Sequence, residues 1–214
     1  MKKHIFKNFI ILFILFSIFI FITANNYVSA TFNDIYQNTF RLHIIANSNS
    51  IEDQNLKLKV RDSIIDYFNS LNISSYKKED IIKVLKNHTN EISSVCSNTL
   101  KEYGCNLPIN IFIGNSFFPT KNYSNISFPA GTYTCLKILI GNASGENWWC
   151  SLFPPLCFAD ITNGYIKKED KDLVKENLSD EEYLLLYSDN TSIKFKFKII
   201  EIINSLKSSQ KLSG

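Results

Sequence analysis

The sequence of 214 residues predicts an α+β fold: a single domain in which two long helices pack on a mostly antiparallel sheet, after an N-terminal signal peptide. This prediction has three sources. The first thirty residues differ in composition from the rest. Two long segments, about 51–71 and about 78–103, have apolar residues at helical spacing, whereas shorter segments around them alternate as strands do. No repeat or proline-rich linker divides residues 31–214, so we expect one exported domain there.

The N-terminus has the pattern of a secretory signal peptide. Three lysines come first, and residues 9–22 are then almost wholly apolar. This run is shorter than the ~20 residues that a membrane span usually needs. The segment 28–30 (VSA) resembles a small-residue cleavage site, so we expect cleavage between Ala30 and Thr31. An uncleaved N-terminal anchor is the alternative, and in both cases residues 31–214 lie outside the cytoplasm.

The exported part is electrically neutral. Removing the three leader lysines from the 23 basic residues leaves 20, which equals the number of acidic residues. Such a balance argues against a nucleic-acid partner and against binding to an anionic membrane surface. We therefore expect membrane contact only through the leader before cleavage.

The first elements after the leader are a strand and a helix. Residues 39–46 alternate in character, with apolar side chains on one face and His43 on the other. Ser50 and Asp53 then have the spacing of a helix N-terminal cap, and a helix follows at about 51–71. The Asp53 carboxylate is placed to pair with N–H groups of the first turn.

A second long helix is predicted from about 78 to 103, ended by Gly104. The elements expected next are a strand at 107–113, a turn-rich section at 114–125 and a strand at 131–141.

The C-terminal third is more polar. It predicts short helices at about 168–177 and 180–187, the second of them capped by Ser179 and Glu182. Residues 193–199 alternate strictly and favour a strand, with a helix at 199–207 as the competing interpretation.

The most unusual segment is 147–158, with the sequence NWWCSLFPPLCF. Tryptophan is over-represented in binding hot spots, and two prolines stiffen the chain before it meets a partner. The alternative is that the two Trp side chains simply cover the core. Cys150 and Cys157 close a short loop, and export would allow them to form a disulfide. The candidate contact residues are Asn147, Trp148, Trp149, Phe153, Pro154 and Pro155.

Motifs for chemistry are mostly missing from the sequence. It has no dinucleotide or phosphate-binding loop, and no C-x-x-C or H-x₃-H spacing for a metal, so we expect no cofactor, no metal and no enzyme activity. Two alternatives stay open. One is a secreted hydrolase in which Cys150 or Cys157 acts with His43 or His88, and the other is a cell-wall-binding module.

Four strings carry a resemblance to a known family. They are FRLHIIANSNSIEDQNLKLKVRDSI at 40–64, FPTK at 118–121, FPAGTY at 128–133 and NWWCSLFPPLCF at 147–158. Together they resemble the stage II sporulation protein R family.

The resemblance implies a function that the residues alone do not supply. Proteins of this family are made in the smaller compartment of a sporulating cell and exported into the space between the two membranes of the septum. There they activate a membrane-embedded aspartic protease that processes the precursor of sigma factor E. The chain would then be a signalling ligand whose partner is that protease.

Overall fold

The computed structural model describes residues 2–123, 125–158 and 168–187. Its helices are α1 Lys2–Asn38, α2 Ile51–Ser70, α3 Lys78–Asn87, α4 Thr89–Glu102, α5 Lys168–Glu176 and α6 Asp180–Leu186. Its strands are β1 Phe40–Ile45, β2 Ile109–Phe118, β3 Lys121–Tyr123, β4 Ile126–Phe128, β5 Gly131–Ile140 and β6 Asn147–Phe153. The predicted α+β class is confirmed.

Helix α1 consists of an exposed apolar part and a docked end. By length and composition it is able to cross a membrane, a test that a signal sequence near the N-terminus also passes. The described side chains up to Ala30 are largely exposed, whereas Thr31, Phe32 and Ile35 are buried. The change from exposed to buried therefore falls at the predicted cleavage position, and an apolar helix of this kind fits a signal peptide.

Four strands form the main sheet, in the order β2-β5-β1-β6. Strand β1 runs parallel to β5 and antiparallel to β6, and β2 runs antiparallel to β5. Two of the three pairings are thus antiparallel. Because β1 lies in the interior of the sheet, five of its six residues are buried, on both faces.

One face of this sheet is covered by helices. Alternation along β1 places Leu42 and Ile44 on this face, where they join the apolar stripe of α2 in the main core. Val60, Ile64 and Phe68 form that stripe at helical spacing and are completely buried. We call this side the helix-covered face.

The other face is covered only in part. Strands β3 and β4 pair with each other as a separate two-stranded sheet, with Lys121 opposite Phe128. The aromatic side chains of this hairpin, Tyr123 and Phe128, lie over Arg41 of β1. The docked end of α1 contacts the start of β5, where Tyr36 donates a hydrogen bond to the Ala130 carbonyl at 3.0 Å.

The predicted second long helix is wrong as a single element. It is divided at His88, whose φ of −102° and ψ of 19° leave the helical region and separate α3 from α4. The neighbouring Asn87 and Thr89 favour helix ends over helix interiors, because Asn competes for backbone hydrogen bonds and Thr is β-branched. The Tyr67 hydroxyl lies 2.8 Å from the His88 ring and holds the break against α2.

The predicted turn-rich section at 114–125 is also wrong in its first part. Strand β2 continues through Gly114 to Phe118 and pairs with β5 over ten residues. Gly114 resembles a turn residue in the sequence, but here it is needed inside a strand. The ring of Phe112 lies over it, so a β-carbon at this position would collide with that ring.

Both short C-terminal helices are confirmed, and so is the cap of the second. The Ser179 hydroxyl accepts the Glu182 N–H at 3.2 Å, while the Glu182 carboxylate accepts the Ser179 N–H at 2.8 Å. The predicted strand at 193–199 and the competing helix at 199–207 lie outside the described residues.

Candidate interaction surface

The two adjacent tryptophans point to opposite sides of the sheet. Trp148 is paired with Ile44 and Trp149 with His43, and successive residues of a strand alternate between faces. Contacts agree with this placement, since the Arg61 guanidinium of α2 lies 5.4 Å from the Trp148 ring. Both rings were candidates for the contact surface, and the sheet places them on opposite faces.

Trp149 begins a row of side chains that crosses all four strands. Trp149 on β6 is opposite His43 on β1. His43 is paired with Lys137 on β5, and Lys137 is opposite Phe112 on β2. Trp149 and Lys137 are partly exposed, and the Phe112 side chain is 50% exposed. The row therefore has a partly exposed aromatic ring at one end and a half-exposed one at the other.

A second row lies beside the first, on the same face. Asn147 is opposite Ile45, Ile45 is paired with Leu139, and Leu139 is opposite Asn110. All four are at least partly exposed. We define the open sheet face as the exposed members of both rows: Asn147, Trp149, Ile45, Leu139, Lys137, Phe112 and Asn110.

His43 links the open sheet face to the interior. Its ring stacks on Trp149 at 5.4 Å, and its Nε2 lies 2.6 Å from Oδ1 of Asn147. Burial lowers the pKa of His43 to about 4, so the ring is neutral at pH 7 and Nε2 donates to the Asn147 oxygen. The histidine therefore fixes the positions of two contact candidates and carries no charge itself.

Arg41 is a functional candidate that sequence reasoning missed. It is completely buried, and its guanidinium lies 4.5–5.2 Å from the ring centroids of Phe118, Phe128 and Tyr133. Its Nη2 donates to the Tyr123 hydroxyl at 2.9 Å. Arg41 fits the alternation of the strand and falls on its polar face with His43, so no local signal showed that it would be buried. A buried arginine is costly unless it is paired, and this makes the position informative.

The β3–β4 hairpin is fastened over Arg41 by one hydroxyl. The Tyr123 hydroxyl accepts from Arg41 and donates to the carbonyl of Trp149 at 3.1 Å. Burial raises the pKa of Tyr123, so this hydroxyl keeps its proton and remains a donor. Lys121, at the start of the hairpin, lies 4.0 Å from the Trp149 ring.

The disulfide predicted between Cys150 and Cys157 is present, with the two Cα atoms 5.3 Å apart. Phe153, Pro154 and Pro155, which lie inside this loop, are buried. The predicted contact segment is therefore divided: Asn147, Trp148 and Trp149 keep exposed surface, and the three residues at the turn stabilise it from within.

The disulfide bears directly on the cysteine hydrolase alternative. Neither Cys150 nor Cys157 has a thiol while the bond is formed, so neither is a nucleophile. Burial raises the pKa of the free thiols Cys96 and Cys135, to about 12 and about 11, so both stay protonated. Within the described residues, no group of three or more His, Cys, Asp or Glu side chains is placed to hold a metal.

Residues 46–54, which belong to the recognised string at 40–64, have a structural role at the edge of the sheet. The side chain of Asn47 accepts the Asn142 N–H and donates to Asp53, both at 2.9 Å. Gly141 has a φ of 56°, and a β-carbon there would strike the Asn47 side chain. This arrangement holds the β5–β6 connection against the start of α2.

The expected partners of Asp53 were wrong, although Ser50 is the N-cap as predicted and accepts the Asp53 N–H at 3.1 Å. The Asp53 carboxylate accepts from the Ser48 hydroxyl at 2.5 Å and from Asn47, instead of from N–H groups of its own helix. These hydrogen bonds, that from Ser48 first, lower the pKa of Asp53. The loop before the helix supplies closer donors than the helix does.

Comparisons with known proteins agree on one family. The family model for stage II sporulation protein R matches residues 36–163, which begin in the docked end of α1. A stage II sporulation protein R of Bacillus subtilis (strain 168) is 39% identical over 132 residues, or 62% of this chain. The aligned part spans 59% of that relative's length. No solved structure matches the chain.

Proposed function

The chain belongs to the stage II sporulation protein R family, and on that premise we propose that it is an exported signal which activates a membrane-embedded aspartic protease during endospore formation. The substrate of that protease is the precursor of sigma factor E. The signal acts in the space between the two membranes of the sporulation septum. Family membership is the observation that carries this proposal.

Features of the chain itself support export. An apolar N-terminal helix fits a signal peptide, and the Cys150–Cys157 disulfide is typical of proteins outside the reducing cytoplasm. The docked part of α1 begins at Thr31, so cleavage after Ala30 would remove the exposed helix and keep the buried Thr31, Phe32 and Ile35.

We place the protease contact on the open sheet face. This face combines exposed aromatic side chains with amides on a rigid sheet, and little conformational entropy is lost when such groups bind. Trp149 is held in position by His43 on one side and Lys121 on the other. Of the two tryptophans, Trp149 is therefore the contact residue, and Trp148 contributes to the helix-covered side.

The experiment that tests the function is co-expression in a non-sporulating host. The full chain is produced with the candidate protease and the sigma factor precursor, and each of the three is omitted in turn. The proposal is supported if the sigma factor precursor is cleaved only when the chain and the protease are both produced with it. A hydrolase would act without the second protein, and a cell-wall-binding module would sediment with peptidoglycan and trigger no processing.

The same assay tests the surface with a matched pair of variants. Trp149→Ala is expected to lower processing by roughly tenfold or more, the usual effect of losing a hot-spot aromatic worth ~2 kcal/mol. Trp148→Ala is expected to change processing only as far as it lowers the folded fraction, measured by thermal melting. If both variants support the same level of precursor processing, Trp149 is not the contact residue. The exposed side of α2 is then the next candidate surface.

A further inference from the structure

Three hydrogen-bond donors under the edge of the open sheet face have nothing to bind. They are Nη1 of Arg41, Nε1 of Trp149 and the hydroxyl of Ser151, all buried and without a hydrogen-bond partner among the described residues. Arg41 and Ser151 have no exposed surface at all. Buried donors are paired in the great majority of cases, so three unpaired neighbours are available to an acceptor. The Nδ1 of His43, on the same face, is unpaired as well. We call Arg41, Trp149 and Ser151 the donor cluster.

The three residues are neighbours on one face of the sheet. Arg41 of β1 is directly opposite Ser151 of β6, and Trp149 lies two positions along β6 from Ser151, on the same face. Directly opposite β-carbons are ~5 Å apart, and diagonal ones ~7–8 Å. The strand pairing therefore places the three residues side by side.

The surroundings of the donor cluster are positively charged. The ion pairs within the described residues are Arg61–Asp62 and Lys83–Asp80, and neither involves Arg41. Lys121 lies over Trp149 nearby. Burial, and after it the charge of Arg41, lower the pKa of this lysine. Aromatic faces offset part of the cost of burying a guanidinium, but they leave the Nη1 donor unused.

We propose that the donor cluster is a binding site for a carboxylate group. A guanidinium matches the planar shape and the charge of a carboxylate, and the indole N–H and serine O–H would donate to its remaining lone pairs. A buried water molecule would satisfy the donors but leave the charge uncompensated. Either an acidic side chain of another protein or a small free carboxylate presents this chemistry.

The test uses the full chain, purified in a mild detergent, with acetate as the probe. Trp148→Phe leaves Trp149 as the only tryptophan, because the chain has two. Acetate is expected to change Trp149 fluorescence along a saturating curve and to raise the melting temperature, relative to chloride at equal ionic strength. A linear response or no response in acetate would overturn the proposal.

Two further variants, made in the same background, identify the site. Ser151→Ala is expected to melt as the parent does without acetate, since its hydroxyl has no partner to lose, and to weaken acetate binding about tenfold. Arg41→Met is expected to abolish saturation. If Arg41→Met does not fold, Ser151→Ala alone tests the proposed site. An unchanged acetate affinity in Ser151→Ala would overturn the proposal.

The source of the carboxylate is decided separately, in the co-expression assay. If Ser151→Ala lowers processing, the carboxylate comes from the protein partner. If processing is unchanged although acetate binding is weakened, the natural ligand is a small free carboxylate. Should the wild-type chain trigger no processing, the proposed function fails, and the acetate titration still tests the site.

Discussion

The two faces of the main sheet are built from alternate residues of the same four strands, yet they differ in kind. The helix-covered face is a closed apolar core, in which Leu42 and Ile44 meet the stripe of α2. The opposite face carries a buried arginine, a neutral histidine and an exposed row that ends in Trp149 and Phe112. The difference teaches that one face holds the fold together, whereas the other carries the groups for which we propose a binding role.

The largest expected effect on stability comes from comparing one phenylalanine on each face. Phe68→Ala opens a cavity in the helix-covered face and is expected to lower the free energy of unfolding by about 3–5 kcal/mol. Phe112→Ala removes a half-exposed ring from the open sheet face and should cost less than about 1 kcal/mol. Denaturant unfolding measures both. For the folded fraction, we expect Phe112→Ala to lower precursor processing and Phe68→Ala to leave it unchanged; the reverse pattern would break the division.

The disulfide sharpens the comparison, because it closes the turn at the end of β6 without touching the exposed rows. Replacing Cys150 and Cys157 together with Ser is expected to lower the free energy of unfolding by about 2–3 kcal/mol through the entropy of the unfolded chain. Processing per folded molecule should stay near the wild-type level. Reduced wild-type protein is the control, and it should melt at the same temperature as the double variant.

A smaller effect is expected at the start of α2, which packs only on the helix-covered face. Ser50→Ala removes the acceptor of the Asp53 N–H and should cost about 1 kcal/mol. Ser50→Thr keeps a hydroxyl there and should recover most of the loss. Thermal melting distinguishes the two, and an alanine variant as stable as the wild type would show that the cap contributes nothing.

The last effect appears only at acidic pH and concerns the face that carries His43. Its pKa in the folded chain is about 4, below the ordinary value of 6.5, so the unfolded chain binds more protons between these two values. Stability from this residue is therefore fully present above pH ~6.5 and is lost as the pH falls toward ~4. Melting of wild type and His43→Gln should diverge in that window, and NMR titration of the ring should give the low pKa directly.

Much of the fold was predictable because it follows from local patterns. The leader, β1, α2 with its Ser50 cap and α6 with its capping box all depend on residues within a few positions of one another. The errors arose where distant residues decide. His88 divides a helix whose apolar spacing continues across the break. Gly114 lies in a strand because β2 pairs with β5 on both sides of it.

The candidate site was predictable only in part, for the same reason. The sequence identified the Trp pair and the Cys150–Cys157 disulfide, because rare residues and short spacing are visible in one dimension. It did not identify Phe112, which enters the same row as Trp149 only through the β2–β5, β5–β1 and β1–β6 pairings. No local pattern links two residues that are joined through four strands.

By itself, the sequence determined that this chain has an apolar N-terminal segment that fits a signal peptide, an α+β domain and the strings of its family, since composition, periodicity and motif content are properties of the chain in order. The tertiary structure alone decided that Trp148 and Trp149 face opposite ways around β6, and that Arg41 lies among aromatic rings beside unpaired donors. Strand register fixes which side of the sheet each residue occupies, and register is set by pairing between segments that are about a hundred residues apart.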